Sequence, residues 1–534
     1  MSSEASATSR YSKPTLLFCL LTFSFLISVD WPEIIDDAYI YLRYVYNLTN
    51  GYGYVFNQGQ SVEGTTSLTW TLILTLISSL KISPDLGLRV LGYLCGISII
   101  ILLWLELRKN NLPSGLLLLL LVIFVTNHSF YASIMMGLET GLYSLLLVLI
   151  YLASDWYHKS PSHKILFGLI GLLLFLTRPE ALIILMLIIG GVYCFRFGNK
   201  KQSIPFVVVI ITGIVLTGLW RYIAFNDFIP NSVRAKSLPF QSLSYFYILL
   251  PRLTAGSFYI AKWFLSAPVL ILPALLGTKL LLTRISFKMF VAISIFIAGI
   301  STTLLNSGDW MPFNRLLTPY LPIVTILSGI SLSKFLQHQK WLSLKQINFL
   351  SATSVFVILI FILWTVWPIS FFKSDKWPAG ICYVDAARLL QPYLAPGSVI
   401  APEGIGNIGY KLKDVTILDF FGLTEPYIAN NGTIPRAIYN MGKHHYEYTM
   451  TIQPDLFFFH SDLRNHIHYL NKWGYSEMYS TYQLKNEHCE LTIGIKNSLV
   501  DSLLAPLRNG FDIHRVATES IGSNPAATWP FGEK

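Results

Sequence analysis

Charged residues are scarce in this chain of 534 residues: they make up 13% of it, whereas hydrophobic residues make up 53%. Soluble domains usually carry about 25% charged residues, so the composition excludes an ordinary soluble protein and indicates a chain that lies in a bilayer. The net charge is +10. In a membrane protein such an excess usually reflects cytoplasmic loops and their contact with lipid headgroups, so membrane lipids are expected as partners and nucleic acid is not.

Cysteine is also scarce, and the five cysteines are scattered singly without metal-ligand spacing. Only Cys382 and Cys489 are candidates for a disulfide, and the sequence leaves their pairing open. A Gly-rich phosphate loop after a strand is missing as well, which argues against a nucleotide site. No cofactor is therefore predicted. A divalent metal is not indicated, and a metal requirement stays open.

Apolar runs near the spanning length of roughly 20 residues recur along the chain as far as Trp367. The run from Thr15 to Val29 is not followed by a small-residue cleavage site, so we expect an uncleaved first helix. Together with it, the later runs predict about eleven membrane helices. These runs are 86–107, 112–127, 137–154, 163–177, 180–195, 203–222, 257–278, 289–305, 315–333 and 347–369.

The connections between the runs alternate in character. One set is short and basic, as at Arg108-Lys109 and Lys288, and the positive-inside rule assigns it to the cytoplasm. The other set is more polar and falls on the outer face of the plasma (inner) membrane, the periplasmic or extracellular side. The alternation requires that Ser67 to Leu80, a stretch of only about 14 residues, forms a juxtamembrane or re-entrant helix and does not span.

The sequence thus predicts a polytopic α-helical membrane protein with a C-terminal α/β soluble domain. The predicted divisions are a transmembrane domain at 1–369, whose outer loop 30–85 carries an aspartate pair, an outer-face soluble domain at 370–505, and a loosely ordered tail at 506–534.

Asp36 and Asp37 are the aspartate pair. Adjacent helical positions point about 100° apart, so at most one carboxylate faces a given cavity. The other caps a helix, or holds a cation or an arginine such as Arg43. A carboxylate at the rim of an apolar cavity suits general base catalysis, because desolvation raises its pKa. A plain helix N-terminal charge or a solvated loop is the alternative interpretation.

Cations are the second polar feature of the outer loops. Arginine suits phosphate because its planar fork donates two hydrogen bonds at once. Glu180 and Asp309 either orient these arginines or form inert ion pairs with them. A base, a cation cradle and an apolar cavity together indicate a lipid phosphate that is reached from the bilayer. The cations are Arg178, Arg221, Arg234, Lys236 and Arg315.

Several motifs in this order resemble a known family. The stretch DDAYIYLRYVYNLTNGYGYVFNQGQSVEG, followed by GLET, TRPE, PNSVRAK and GDWMP, resembles GT-C class polyprenyl-phosphate-sugar glycosyltransferases. Within that class it looks most like the terminal arabinofuranosyltransferases of bacterial cell-wall arabinan. The resemblance covers residues 33–320 and continues loosely through DFFGLT and GKHH. Asn314 and Thr65 depart from the aromatic residues usual in relatives, so arabinose is not assumed.

The resemblance implies a polyprenyl-phosphate sugar as donor, with a pentofuranose among the candidate sugars. It implies a cell-envelope glycan or lipid as acceptor, a soluble domain that helps to bind it, and inversion at the anomeric carbon. Asp36 is the preferred base, with Asp37 beside it. The expected donor phosphate-binding residues are Arg178, Arg315, Lys236 and Arg221. Supporting or substrate-binding candidates are Arg43, Glu63, Glu139, Glu180, Asn231, Asp309, Trp310 and His444.

Two other functions compete with this interpretation. A transporter or flippase of lipid-linked sugars would place ionisable residues near the bilayer midplane, on broken helices in repeated halves. Here the middle of each run is nearly free of charge. A non-catalytic assembly protein whose outer domain binds glycan would have no need for the aspartate pair.

Overall fold

The computed structural model describes most of the chain. The described residues are 12–29, 33–110, 112–194, 203–237, 244–277, 285–309, 311, 313–338, 346–351, 353–356, 378–433, 442–459 and 463–518. The predicted run 347–369 therefore lies mostly outside the described residues, and so does Trp310.

Helices dominate the chain before residue 357. In chain order they are α1 (Ser12–Val29), α2 (Asp36–Thr49), α3 (Leu68–Ser79), α4 (Pro84–Arg108), α5 (Ser114–Val125), α6 (His128–Met135), α7 (Thr140–Ala153), α8 (Pro161–Thr177), α9 (Ala181–Cys194), α10 (Ile204–Phe225), α11 (Asn231–Lys236), α12 (Ser244–Ser266), α13 (Pro268–Leu276), α14 (Phe287–Leu305) and α15 (Leu321–His338), which a 3-10 turn (Thr318–Tyr320) precedes.

Four of the described helical segments are long and apolar enough to cross a membrane, or up to six if each bent pair counts as one span. The four are α4, α10, α14 and Thr318–Gln337; the bent pairs are α5 with α6 and α12 with α13. The other apolar helices in the described part of the chain are shorter, at 10–17 residues: Lys13–Val29 within α1, and α3, α7, α8 and α9. The count of about eleven is thus not established by length among the described residues.

Both bends have a local cause. The bend of 48° between α5 and α6 falls at Asn127, whose side chain accepts a hydrogen bond from the Phe130 amide and so starts a new helix. The bend of 103° between α12 and α13 precedes Pro268, which has no amide hydrogen and disfavours helical geometry in the residue before it. The sequence-based runs 112–127 and 257–278 contain these two breaks.

Buried charges gather at the two ends of the helical domain. At one end Lys288 forms ion pairs with Glu106 and Asp155, next to the start of α14. At the other end Arg315 pairs with Asp309, just beyond the end of α14. A helix of 19 residues is about 28 Å long, so the two charge groups lie on opposite sides of the apolar layer. This grouping agrees with the predicted alternation of the loops.

The C-terminal part folds around one mixed sheet. Its strands are β1 (Val399–Pro402), β2 (Thr416–Ile417), β3 (Leu456–Phe459), β4 (Tyr479–Lys485), β5 (Glu490–Lys496) and β6 (Asp512–Val516). Their spatial order is β2-β1-β3-β5-β4-β6; β1 runs parallel to β2 and β3, and the other pairs are antiparallel. The helices are α16 (Pro378–Leu390), α17 (Ile405–Lys411), α18 (Pro426–Asn431), α19 (Tyr446–Ile452), α20 (Leu463–Asn471), α21 (Tyr475–Met478) and α22 (Val500–Leu507).

The sheet is covered on both faces, as the sequence predicted for an α/β domain. In β3, Leu456 and Phe458 pack with α16, α17 and α22, whereas Phe457 and Phe459 pack with α19 and α20. Successive residues of a strand point to opposite faces, so β3 is apolar throughout because both faces are buried.

The soluble domain extends past the predicted boundary at 505. Strand β6 pairs with β4 from Asp512 to Val516, so part of the segment expected to be a loose tail completes the sheet. Cys382 of α16 and Cys489, just before β5, form a disulfide with a Cα–Cα distance of 5.8 Å.

Helix α2 joins the two parts of the protein. Its Val45 and Leu42 pack with Trp70 of α3 in a buried cluster on the membrane-domain side. Its Ile40 and Tyr44 belong instead to the core of the soluble domain. The aspartate pair at the start of α2 therefore lies where the two domains meet.

Candidate active site

The two aspartates have different surroundings. Both oxygens of the buried Asp36 carboxylate accept hydrogen bonds from the soluble domain, from the Gly406 amide at 2.9 Å and the Asn407 amide at 2.8 Å. Burial raises the pKa of Asp36 to about 7, although these two amides lower it part of the way. Asp36 is thus held by protein groups and does not present a free carboxylate.

Asp37 faces the cations instead. Its side chain is only partly buried, and among the described residues it makes no hydrogen bond and no ion pair. Burial raises the pKa of Asp37, while the charges of Lys236 and Arg315 lower it part of the way. Lys236, at the end of α11, likewise has no ion-pair partner among the described residues.

Arg178 and Glu139 form a buried ion pair beside Asp37. Arg178 follows α8, where Pro179 ends the helix, and its Nε donates to Glu139 Oε1 at 2.8 Å. Its Nη1 lies 3.3 Å from Glu180 Oε1, and Tyr41 Oη donates to Glu139 Oε2 at 3.1 Å. Burial alone would raise the pKa of Glu139, but Arg178 and Arg315 bring it below its ordinary value. Glu139 is therefore an anion that orients the arginine.

Arg315 lies in the connection after α14. Its Nε donates to Asp309 Oδ2 at 2.7 Å, so Asp309 orients the guanidinium. Phe313 and Asn314, immediately before it, have φ values of 65° and 49°. Such left-handed geometry is strained for residues with a side chain and is kept where the surrounding structure requires it.

Arg221 is engaged elsewhere. Its Nε and Nη2 donate to the two oxygens of Glu63 at 2.7 and 3.1 Å. The Asn231 amide donates to the Glu63 carbonyl, and Asn231 Nδ2 donates to the carbonyls of Gly422 and Leu423. These residues, expected to contact substrate, connect the first outer loop, α10, α11 and the soluble domain.

Three further candidates do not face the cations around Asp37. Arg234 pairs with Asp227 in a partly exposed position. Arg43 is buried and donates to carbonyl groups of the soluble domain. His444 lies in the core of that domain, where its Nδ1 contacts the Phe420 carbonyl at 3.0 Å and burial lowers its pKa to about 3. Because a carbonyl only accepts, Nδ1 of a neutral imidazole carries the proton.

An apolar groove opens beside this cluster. It has a volume of about 590 Å³ and is lined by α12 and the outer end of α14, through Ile260, Phe264 and Leu304 among others. On the same helix Tyr259 is turned inward, and its hydroxyl accepts a hydrogen bond from the Leu316 amide at 3.2 Å, next to Arg315. The groove thus lies within one helix width of the charged cluster.

Within the described part of the chain, the geometry combines a carboxylate and an amine that have no ion-pair partner there with two oriented arginines. Among the residues that the structure describes, no group of three or more histidine, cysteine, aspartate or glutamate side chains is arranged to hold a metal. Sequence reasoning missed Gly406 and Asn407, which bind Asp36, and Tyr259. The glycine spacing in GIGNIG, residues 404–409, was the signal for a close backbone approach.

Comparisons with known proteins concern the fold. A family model described as a domain of unknown function (DUF8728) matches residues 377–493. No curated protein matches the chain. The apo crystal structure of an oligosaccharyltransferase from Archaeoglobus fulgidus is similar, with a TM-score of 0.54, 10% identity, and coverage of 91% of this chain and 75% of that one.

Two similar structures contain a lipid phosphate. AglB from Archaeoglobus fulgidus, in complex with an inhibitory peptide and a dolichol-phosphate, has a TM-score of 0.52 and 11% identity over 92% of this chain and 75% of that one. ArnT from Cupriavidus metallidurans bound to undecaprenyl phosphate has a TM-score of 0.51 and 10% identity over 92% of this chain and 98% of that one. The chain is thus a polytopic α-helical membrane protein with the GT-C glycosyltransferase fold and a C-terminal α/β domain.

Proposed function

We propose that the protein is an integral-membrane glycosyltransferase that moves a sugar from a polyprenyl-phosphate donor to a cell-envelope glycan or lipid. The observation that carries this proposal is the carboxylate of Asp37, which has no hydrogen-bond or ion-pair partner among the described residues and feels the charges of Lys236 and Arg315. A pentofuranose is the first donor sugar to test, because the motifs resemble arabinofuranosyltransferases.

The donor phosphate binds between Lys236, Arg315 and Arg178. Phosphate accepts charge-assisted hydrogen bonds from all three, and Glu139 and Asp309 hold the two arginines in position for it. Arg221 is not part of this set, because its ion pair with Glu63 belongs to the connection between the first loop, α11 and the soluble domain. The polyprenyl chain lies along the apolar groove beside Tyr259, where it stays in contact with the bilayer.

Asp37 is the general base of the reaction. It takes the proton of an acceptor hydroxyl while that oxygen attacks the anomeric carbon of the donor. The bond between this carbon and the phosphate oxygen breaks, and the polyprenyl phosphate leaves with the electron pair. Lys236 and Arg315 stabilise the negative charge that grows on it. Direct displacement of this kind inverts the anomeric centre.

The disulfide supports an outer location for the site. Because disulfides persist in oxidising compartments, we assign the domain containing Cys382–Cys489 to the side of the membrane outside the cytoplasm. Asp36 is bonded directly to that domain, so the site lies on the same, outer side of the membrane.

Exchanging each aspartate for asparagine tests the assignment. The substrate is undecaprenyl-phosphate-linked pentofuranose with a cell-envelope extract as acceptor, and the release of undecaprenyl phosphate by the purified full chain is measured by mass spectrometry. Asp37→Asn should lower turnover by about 100- to 10,000-fold, the usual contribution of a general base. Asp36→Asn should lower turnover less than Asp37→Asn does, because asparagine still accepts from one of the two backbone amides, although its NH2 group cannot accept from the other.

The reverse pattern would give the base to Asp36, as the motif resemblance implies. Normal turnover in both variants would exclude the aspartate pair from the chemistry. Movement of the donor across the bilayer without release of undecaprenyl phosphate would favour a flippase.

A further inference from the structure

We propose that Asp36 and Arg43 are positioning residues that clamp the soluble-domain helix α17 against α2 and thereby fix the orientation of Asp37. The soluble domain then completes the catalytic site as well as binding the acceptor. The part of this inference that concerns Asp37 rests on the proposed function; the clamp itself does not.

The first contact of the clamp is at the start of both helices. Gly406 and Asn407, in the first turn of α17, direct their amides at the two oxygens of Asp36. Buried backbone amides without a partner are costly, and these two have one only while the domains are together. A Cβ atom at Gly406 would lie 1.8 Å from the Asp36 carbonyl oxygen. Only glycine permits this approach.

The second contact is at the end of α17. Arg43 is 2% exposed, and its Nη1 donates to the Gly409 carbonyl at 2.5 Å and the Leu412 carbonyl at 3.2 Å. Its Nη2 donates to the Val415 carbonyl at 2.8 Å. The remaining described partners, Phe56 and Asn57, belong to the first outer loop. Burying a cation is costly, and here neutral oxygens on both domains compensate for it.

The spacing of the clamp matches the helix that it holds. Asp36 and Arg43 are seven positions apart, close to two helical turns and about 10.5 Å. Helix α17 is itself seven residues long. The two helices therefore lie side by side in the same direction, and Asp36 and Arg43 contact opposite ends of α17.

Asp37 follows Asp36 directly, so whatever fixes Asp36 also fixes the direction of Asp37. With Asp36 turned toward α17, the next side chain points about 100° away, and the charges of Lys236 and Arg315 act on it. Release of α17 would let the first turn of α2 rotate or fray. The donor phosphate would still bind to the cations, whereas the Asp37 carboxylate would no longer be oriented toward the acceptor hydroxyl.

Thiol labelling tests the clamp independently of activity. In a Cys194→Ser background, which removes the exposed free cysteine, Ile40→Cys reports on the α2 face that packs in the soluble-domain core. Val45→Cys is the matched control on the membrane-domain face. A water-soluble maleimide should react at position 40 at least about tenfold faster when Asp36→Ala or Arg43→Met opens this contact. Position 45 should stay protected.

Turnover and binding test the positioning role. Asp36→Ala and Arg43→Met should lower kcat by about 100-fold, the usual cost of a misplaced catalytic group, with unchanged affinity for undecaprenyl phosphate. Asp36→Asn keeps one of the two accepting oxygens, so both the labelling rate at position 40 and kcat should lie between those of the wild type and Asp36→Ala.

Each contrary result has a distinct meaning. Unchanged labelling at position 40 in both clamp variants would overturn the clamp, and labelling at positions 40 and 45 together would indicate unfolding and overturn it too. Faster labelling at position 40 with normal kcat would overturn the positioning role. If the wild-type chain released no undecaprenyl phosphate, the proposed function would fail, and the labelling ratio would still accept or reject the clamp.

Discussion

Binding of a phosphate should change the basicity of Asp37. Lys236 and Arg315 lower the pKa of this carboxyl, but burial raises it by more, so the pKa lies above its ordinary value. A bound phosphate brings negative charge next to the same cations, so their effect on Asp37 is partly cancelled and its pKa rises. A higher pKa makes the carboxylate a stronger base. Asp36 differs, because its carboxylate accepts from the backbone amides of Gly406 and Asn407, and the charges that act on its pKa are those of Asp37 and Asp419.

Removing single cations tests which of them bind the phosphate. Arg315→Ala and Lys236→Ala should each weaken the binding of undecaprenyl phosphate to the full chain by about 10- to 100-fold, because a charge-assisted hydrogen bond contributes about 1.5–3 kcal/mol. Binding is measured by native mass spectrometry in detergent. Arg234→Ala is the matched control from the same outer connection, since Arg234 is paired with Asp227.

Equal affinity in all three cation variants and the wild type would exclude a phosphate site between α11 and the connection after α14. A loss confined to Arg234→Ala would move the site to the partly exposed edge of α11.

At the scale of elements, the outer loops are connected by the pair of Glu63 and Arg221. The side chain of Glu63 is 3% exposed and that of Arg221 is 11% exposed, so both charges are largely removed from water. Breaking such a pair by removing one partner is much more costly than replacing both, because the remaining charge stays buried and uncompensated.

A double-variant cycle tests this connection. Glu63→Met alone should lower the stability of the full chain by about 3–5 kcal/mol, seen as a lower Tm in detergent by tryptophan fluorescence. The double variant Glu63→Met with Arg221→Met should recover most of the Tm, because no uncompensated charge remains. If the double variant instead lost as much stability as the sum of the losses in Glu63→Met and Arg221→Met, the two side chains would not be coupled.

Elements were predictable from the sequence where the signal is local. The run 86–107 appears as Pro84–Arg108, and the run 289–305 appears as Phe287–Leu305. The short helix predicted between Ser67 and Leu80 is Leu68–Ser79, capped by Ser67. An apolar run does not show where a helix bends inside it, which is why the break before Pro268, inside the run 257–278, was not predicted.

The site could be predicted only in part, because the contacts that distinguish Asp36 from Asp37 join residues that are far apart in the sequence. The first outer loop was recognised as the position of the aspartate pair, and the ends of α8 and α14 as positions of cations. Asp36 is separated from its Gly406 partner by 370 positions. No local pattern reveals that contact, and the preference for Asp36 as base was therefore made without it. Glu63, the partner of Arg221, is 158 positions away and could not be predicted for the same reason.

At the scale of the whole molecule, the proposed chemistry requires all its residues on one side of the membrane. Asp37, Glu139, Lys236 and Arg315 come from four separate connections, and the structure brings them to the same end of the helical domain. Lys288, Glu106 and Asp155 meet at the opposite end. By the positive-inside rule we expect the second group in the cytoplasm, and the disulfide favours the outside for the first group.

Site-directed labelling in intact cells tests that assignment. In the Cys194→Ser background, Gln58→Cys on the exposed first loop should react with a membrane-impermeant maleimide, and Lys159→Cys on the exposed loop between α7 and α8 should react only after permeabilisation. Cys382 and Cys489 should resist alkylation in the unfolded protein until a reductant is added, because an oxidising compartment keeps them bonded. Both probes must label whenever the protein is solubilised, which controls for reactivity. Labelling of Lys159→Cys but not Gln58→Cys in intact cells would invert the protein in the membrane. The domain that contains the disulfide would then face the cytoplasm. Free thiols at Cys382 and Cys489 in the same cells would confirm that inverted orientation.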